Sequence, residues 1–266
     1  MKFDVHLLAL LKKIIVSLAR KCGVDLFLLK EGYHYVPDIY GKSSVKMFDI
    51  RDDVFFRETA SKVIQDKKTL LYFDRLHVIY QSLKNIRNQF INQNEPVNIV
   101  EVGVYKGGGS YFIASILKEY FNVNVNLYCI DTFEGHSKED LINTKHDIHC
   151  PSWFHDTDFE NVKSYLDNFD FVQVIKNRIQ LCEKIFEGKD IHFVHLDVDL
   201  YHPMLFSLNM FSKKLQQGGI ILVDDFGFVT CPGVRKAVNE FMEDNFSVFY
   251  KFELSTGQCL LVKISR

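Results

Sequence analysis

Hydrophobic residues recur along this chain with two different periods, and the change of period divides the sequence into two parts. In residues 54–66 and 69–93 the apolar side chains return every three to four positions. That spacing is typical of amphipathic helices that bury one face. Beyond Pro96, short apolar runs alternate with helical stretches. We place a boundary at that proline, with a helical extension over 1–95 and a main domain over 96–266.

The short apolar runs of the second part predict strands, and the stretches between them predict helices. The predicted strands cover 98–103, 126–131, 171–175, 192–197 and 220–224. The predicted helices cover 110–121, 159–166, 179–186, 203–215 and 232–242. Near the end of the chain, two apolar runs flank Thr256-Gly257 and predict a β-hairpin. Strands that alternate with helices predict an α/β fold with a parallel sheet, to which the hairpin adds an antiparallel edge.

The first 30 residues predict a further helix, whose apolar run is interrupted by Lys12 and Lys13. This run is too short to span a bilayer. We expect the helix to pack on the main domain or on a second copy of the chain, which would give a homo-oligomer. Contact with a membrane surface is the alternative, because the basic residues of the helix could face lipid headgroups.

The composition narrows the class of protein. A net charge of −2 over 266 residues offers no strongly basic surface, so we expect no nucleic-acid partner. The six cysteines are scattered without a C-x-x-C pair, which is typical of reduced thiols in a cytoplasmic protein. Residues 132–158 hold four histidines at irregular spacing. We favour a lid over a bound molecule for this segment, rather than a zinc site.

Two of the predicted strands end in pairs of aspartates. Asp197 and Asp199 close the fourth strand, and Asp224 and Asp225 close the fifth. If these strands are neighbours, four carboxylates meet at the carboxyl edge of the sheet, where open α/β sheets bind ligands. Their mutual repulsion predicts a divalent cation, and oxygen ligands suit Mg²⁺ or Mn²⁺. The alternative is a set of helix caps and loop carboxylates.

A glycine-rich turn, EVGVYKGGGS, joins the first predicted strand to its helix. Glycines there allow a ligand to approach the backbone, as in the turns that bind dinucleotides. The pattern is not G-x-G-x-x-G, however, and Glu101 at the strand tip would repel a pyrophosphate. S-adenosylmethionine fits better, because it has a cationic amino-acid end and a ribose but no phosphate. Glu101 would face the ammonium group, and Asp131 would face the ribose. An NAD-dependent oxidoreductase is the alternative.

Five motifs carry a more specific resemblance: EVGVYKGGGS, DTFEG (131–135), HLDVDLY (195–201), GGIILVDDFG (218–227) and CPGVRKAVNEF (231–241). In order and spacing they resemble the metal-dependent O-methyltransferases of the macrocin O-methyltransferase family, which includes sugar methyltransferases of mycinamicin and novobiocin biosynthesis. The resemblance implies the class I methyltransferase fold, a Rossmann-like sheet of seven strands with the last strand antiparallel. It also implies methyl transfer from S-adenosylmethionine to a hydroxyl, on a sugar of a glycan or natural product. A catechol-type acceptor, or a scaffold without catalysis, is the alternative.

The resemblance also implies roles for individual residues. Asp197, Asp224 and Asp225 would hold Mg²⁺. An aspartate of the H-x-D-x-D motif would take the proton of the acceptor; we favour Asp199 and keep Asp197 as the second candidate. S-adenosylmethionine would be bound by residues of the glycine turn and of the next two strand ends: Glu101, Gly103, Gly107, Ser110, Asp131, Thr132 and Arg178.

Overall fold

The structure is a computed structural model that describes residues 49–90, 92, 95–121, 124–141 and 146–265, with 14–15, 17–19 and 21–22 before them. The chain divides into two compact units, 1–47 and 48–266. The described residues of the first unit are helical up to Lys21. The rest of the predicted N-terminal helix lies outside the described residues. In the part of the chain that the structure describes, no helix has both the length and the apolar character needed to cross a bilayer.

Two helices open the second unit, α1 (Val54–Gln65) and α2 (Phe73–Phe90). Asp53 caps α1, because its Oδ1 accepts the backbone N–H of Phe56 at 3.0 Å. Its Oδ2 accepts the hydroxyl hydrogen of Tyr80, on α2, at 2.7 Å. The apolar stripe predicted for α2 is buried in the same core as α1 and the sheet. The assignment of 1–95 to a separate extension stays a prediction.

Seven strands form one sheet in the order β3-β2-β1-β4-β5-β7-β6. β1 to β5 run parallel, and β7 runs antiparallel to both β5 and β6. This arrangement confirms the predicted sheet and its antiparallel edge. The strands are β1 Val97–Val102, β2 Val125–Asp131, β3 Val172–Lys176, β4 Ile191–Leu196, β5 Leu215–Val223, β6 Phe249–Glu253 and β7 Cys259–Lys263.

Helices cover both faces of the sheet. Alternate residues of β1 point to opposite faces, so Ile99 joins the core under the helices between residues 54 and 166, whereas Val100 joins the core under the helices between residues 201 and 245. A short helix at Lys138–Leu141 lies in the long connection after β2. The remaining helices are α3 Gly108–Tyr120, α4 Phe159–Leu166, α5 Tyr201–Lys214 and α6 Pro232–Asn245.

The predicted helix at 179–186 is wrong. The structure has two short 3₁₀ turns there, Ile179–Leu181 and Glu183–Phe186. Cys182 lies between them with φ −97° and ψ 0°, outside the α-helical region. Ile179 and Cys182 are both buried, and their spacing of three residues matches the 3₁₀ period better than the α-helical one.

Hydrogen bonds between strands continue one residue past the ends of the central strands. The N–H of Gly103 bonds to the carbonyl of Ile130, and the N–H of Asp197 bonds to that of Val102, each at 2.9 Å. The N–H of Asp224 bonds to the carbonyl of Leu196 at 2.9 Å. The first residues beyond β1, β4 and β5 therefore lie side by side. They mark the carboxyl edge next to β1 and β4, where the strand order reverses and such sheets bind ligands.

Candidate active site

A cavity of about 420 Å³ lies at this edge of the sheet. The glycine turn after β1 and the ends of β2 and β4 form part of its wall. Further parts come from 135–137, 149, 153–154, 228 and 230–231. Among the predicted site residues, its walls include Glu101, Gly103, Asp131, Thr132, Arg178, Asp197, Asp199 and Asp225. The fold thus brings both predicted groups, the cofactor residues and the carboxylates, around one space.

The glycine turn has a backbone that only glycine fits at Gly103. Its φ is +89°, in the left-handed region. A Cβ atom there would overlap the backbone carbonyl of Asp197, at the end of the neighbouring strand. Gly107, with φ +86°, is the residue before the first turn of α3. The turn is therefore shaped by close packing of β1 against β4 as well as by access to the cavity.

Asp131, the last residue of β2, holds the glycine turn in place. Its Oδ2 accepts the backbone N–H groups of Val104 at 2.7 Å and Tyr105 at 2.8 Å. Its Oδ1 accepts the N–H of Phe133 at 2.7 Å. Each carboxylate oxygen can accept more than one hydrogen bond, so Oδ1 keeps capacity for a ligand hydroxyl.

A chain of buried polar groups links the turn to the aspartates. Ser110 donates its hydroxyl hydrogen to Oε2 of Glu101. Oε1 of Glu101 lies 3.1 Å from Nδ1 of His195, whose Nε2 lies 3.5 Å from Oδ1 of Asp224. All four side chains are at most 2% exposed. Ser110 and Gly107 are not among the described residues that line the cavity, so they support Glu101 and the turn from behind.

Arg75 of α2 supplies the positive charge closest to the aspartates of β5. Its Nη2 donates to Oδ1 of Asp225 at 3.0 Å and also pairs with Oδ2 of Asp224. Asp224 has no exposed surface, and its Oδ1 accepts a hydrogen bond from Gln258 at 2.7 Å. Asp225 lines the cavity, whereas Asp224 is not among the described lining residues. Arg75 lies 150 positions from Asp225, so the sequence pattern predicted no role for it.

Among the described residues, no lysine or arginine forms an ion pair with Asp197 or Asp199, and the pKa values of both carboxyl groups are raised well above the usual range. Burial is the main cause, and the negative charge of Asp225 is the second. The pKa of Asp225 moves the other way: burial would raise it, but the charge of Arg75 and hydrogen bonds from the two other aspartates lower it. The three carboxyl groups therefore interact strongly with one another across the cavity wall.

These residues suit a hard divalent cation. Asp197 and Asp225 face the cavity with oxygen ligands only, the donors that Mg²⁺ prefers. A cation among them would favour the ionised carboxylates, which the present arrangement disfavours for Asp197 and Asp199. Asp224 already has protein partners on both oxygens, Gln258 and Arg75. It would become a direct ligand only if Arg75 moved away.

Thr132 and Arg178 lie at the far side of the cavity from the aspartates of β5. The Thr132 hydroxyl donates to the carbonyl of Gly135 at 3.1 Å, within the turn after β2. Arg178 donates from Nη2 to Oδ1 of Asp140 at 2.6 Å, which ties the end of β3 to the short helix Lys138–Leu141. Both side chains thus shape the loop after β2, and both line the cavity.

A family model described as Macrocin-O-methyltransferase (TylF) matches residues 49–247, which is most of the chain. The chain belongs to this family. The resemblance predicted from the five motifs is confirmed. The match begins at residue 49, so it includes α1 and α2 with Arg75, ahead of the first of those motifs.

The curated relatives of this TylF-family chain are distant. The 8-demethyl-8-(2,3-dimethoxy-alpha-L-rhamnosyl)-tetracenomycin-C 4'-O-methyltransferase of Streptomyces olivaceus is 22% identical over 157 residues, covering 55% of this chain and 58% of that protein. The demethyldecarbamoylnovobiocin O-methyltransferase of Streptomyces niveus is 24% identical over 184 residues, covering 65% of this chain and 67% of that protein. The match to the tetracenomycin enzyme thus spans less than two thirds of that enzyme's length.

Solved structures show the same architecture. The O-methyltransferase NovP matches with a TM-score of 0.65 and 19% identity, over 74% of this chain and 83% of that one. The calicheamicin methyltransferase CalS11 matches with a TM-score of 0.52 and 16% identity, over 83% of this chain and 99% of that one. At these identities the likeness concerns the fold, and it confirms the predicted class I methyltransferase sheet.

Proposed function

We propose that this TylF-family protein is an O-methyltransferase that uses S-adenosylmethionine and Mg²⁺ to methylate a hydroxyl of a sugar, in a glycan or a natural product. One observation supports this most directly: the glycine turn with Asp131 and the carboxylates Asp197, Asp199 and Asp225 line the same cavity. The choice of a sugar rests on the relatives, since the tetracenomycin enzyme is named for a rhamnosyl 4'-O-methylation.

In this proposal the turn after β1 and the end of β2 bind the cofactor. Gly103 lets the backbone come close to it. Glu101 is mostly enclosed but reaches the cavity wall, where its negative charge suits the cationic amino-acid end of S-adenosylmethionine. Asp131 would offer its remaining lone pair on Oδ1 to the ribose, Arg178 would contact the adenine, and Thr132 would complete the cofactor site. Gly107 and Ser110 contribute by holding the turn and Glu101.

The aspartates are the residues that would hold the metal and the acceptor. Asp197 and Asp225 would be the direct ligands, and Asp224 would join them only if Arg75 moved away. Bound Mg²⁺ would lower the pKa of the acceptor hydroxyl and orient it. Asp199, the other carboxylate in the cavity wall, takes the proton of that hydroxyl. The rest of the work is alignment of the acceptor oxygen with the methyl group in an enclosed cavity.

Calorimetric titration of the purified chain tests this function. S-adenosylmethionine should bind to the wild type and NADH should not. Mg²⁺ should also bind to the wild type, and Asp225→Ala should lose most of that Mg²⁺ affinity. Turnover on deoxysugar acceptors, followed with labelled S-adenosylmethionine, should need Mg²⁺ in the wild type and be absent in that variant. Asp170→Ala is the control, because it changes an exposed aspartate that is not among the described residues lining the cavity. Binding of NADH alone, or full turnover by Asp225→Ala, would refute the proposal.

A further inference from the structure

Two histidines of the loop after β2 meet one aspartate beyond β4. Nε2 of His136 lies 2.9 Å from Nδ1 of His149 and 3.6 Å from Oδ2 of Asp199. One ligand atom from each of the three residues lies within 4.8 Å of the others. Backbone hydrogen bonds at 3.0 Å, from Ser152 to His136 and from His136 to Trp153, fix this part of the loop.

The far side of His149 is held by residues just before α6. Its Nε2 lies 3.6 Å from Sγ of Cys231, and its ring also hydrogen-bonds to the backbone of Thr230. A histidine that donates from one ring nitrogen presents the other as a lone pair, as metal-binding histidines do.

The hydrogen bonds among His136, His149 and Asp199 do not satisfy all three groups. Two facing nitrogens at 2.9 Å share a single hydrogen, and the Asp199 oxygen at 3.6 Å is too far away to accept it. Asp199 is also held at φ +58°, which is uncommon for a residue other than glycine. All three side chains line the cavity, so an ion can enter from solvent.

We propose that His136, His149 and Asp199 form a second metal site, which takes a first-row transition ion such as Zn²⁺. Two imidazoles and one carboxylate suit such ions, whereas Mg²⁺ prefers oxygen ligands alone. The site adjoins the proposed Mg²⁺ site, because Asp199 hydrogen-bonds to Asp225, but it shares no ligand with Asp197 and Asp225. Cys231 supports the site from outside: its thiol donates to Oδ1 of Asp199 at 3.5 Å, and burial raises its pKa far above the usual range.

An ion at this site would clamp the loop after β2 to the β4–α5 connection. Asp147, in the same loop, already accepts the N–H of Tyr201 at 3.1 Å, at the start of α5. One consequence rests on the proposed function: Zn²⁺ on Asp199 would occupy the base and inhibit methyl transfer. Binding itself does not depend on that function, so the two can fail separately.

Titration of Zn²⁺ into the full chain in excess Mg²⁺ tests the site. The wild type should bind one Zn²⁺ at this site, and His136→Ala and His149→Ala should each weaken that binding at least tenfold. His155→Ala, which removes an exposed histidine of the same loop, is the matched control and should bind as the wild type does. Equal Zn²⁺ affinity in the histidine variants, displacement of Zn²⁺ by Mg²⁺, or absence of Zn²⁺ binding would each overturn the proposal.

Cobalt provides a readout that loss of folding would not mimic. Co²⁺ should give a visible ligand-field spectrum in the wild type, without a thiolate charge-transfer band, because Cys231 is not a ligand. The milder change His149→Gln, checked for a wild-type circular dichroism spectrum, should abolish that visible spectrum. A thiolate band, or an unchanged spectrum in His149→Gln, would overturn the assignment. Binding of S-adenosylmethionine is measured in the same samples. If it is intact, a negative cobalt result concerns the second metal site and not the proposed function.

Discussion

Replacing Arg75 with methionine removes the guanidinium that Asp224 and Asp225 share. The Arg75 side chain is 11% exposed and that of Asp224 is 0% exposed, so water cannot easily replace the lost charge. Breaking a buried ion pair by removing one partner costs about 3–5 kcal/mol, because the other charge stays buried. That is a large part of the roughly 5–15 kcal/mol that stabilises a typical protein. Methionine keeps most of the apolar contact of the Arg75 stem, but it also removes the cation–π contact of the guanidinium with the Phe228 ring.

The assay is urea unfolding of the wild type and Arg75→Met, with EDTA and again with saturating Mg²⁺. We expect the full loss of about 3–5 kcal/mol in EDTA and a smaller loss in Mg²⁺, because the ion supplies positive charge to Asp225. Arg75→Lys, which keeps a charge but not the planar fork, should lose less than Arg75→Met in EDTA.

A double-mutant cycle separates the ion pair from general damage to α2. Asp225→Asn removes one partner, so Arg75→Met should cost at least about 1 kcal/mol less in that background. A loss below about 1 kcal/mol for Arg75→Met in EDTA would refute the reasoning. Strict additivity of the two changes would also refute it, because it would show that the pair does not hold the aspartates.

Two further predictions concern the turn after β1 and the start of α1. Gly103→Ala should lower the free energy of unfolding by about 3 kcal/mol or more, because it adds a backbone overlap to a left-handed φ. Gly188→Ala, at φ +67° with open space around it, should lower it by only about 1–2 kcal/mol in the same unfolding assay. Similar losses for the two would contradict the overlap. Asp53→Ala should cost about 1 kcal/mol at pH 7, because it removes the cap of α1, whereas Asp53→Asn should cost little. Burial alone would raise the pKa of Asp53, but hydrogen bonds from Phe56 and Tyr80 outweigh it, so the net pKa is lowered. The charged cap therefore stabilises the fold above the ordinary pKa of aspartate, and this contribution is lost as the pH falls through the lowered pKa. If the loss of stability in Asp53→Ala did not shrink in acid, that linkage would be excluded.

The fold could be predicted from the sequence to a large extent, because a short apolar run indicates each strand. The apolar runs that end at Asp197 and at Asp224 are buried strands in the structure, and both aspartates follow their strands at the carboxyl edge. Five parallel strands joined by helices allow few topologies, so the position of the aspartate pairs followed from the pattern. The prediction of an α-helix at 179–186 was wrong, because the apolar spacing of so short a segment does not distinguish an α-helix from 3₁₀ turns.

The contacts that complete the site depended on tertiary structure. Arg75 reaches Asp225 across 150 positions, and Gln258 reaches Asp224 across 34. Hydrophobic periodicity records whether a residue is buried, but the partner of a buried polar group is set by how separate elements pack. The five motifs of the resemblance all lie at or beyond Glu101, so they gave no reason to assign the charge of Arg75 to the aspartates.

The histidines of the loop after β2 show the same division. Their irregular spacing, 136 and 149, gave no ligand pattern, and the sequence favoured a lid instead. In the structure the loop folds back, so that His136 lies 2.9 Å from His149 and 3.6 Å from Asp199. The sequence determined the strands, the glycine turn and the aspartates, because these depend on neighbours along the chain. Only the tertiary structure decided which charge balances the aspartates and which histidines meet them, because both depend on packing between distant segments.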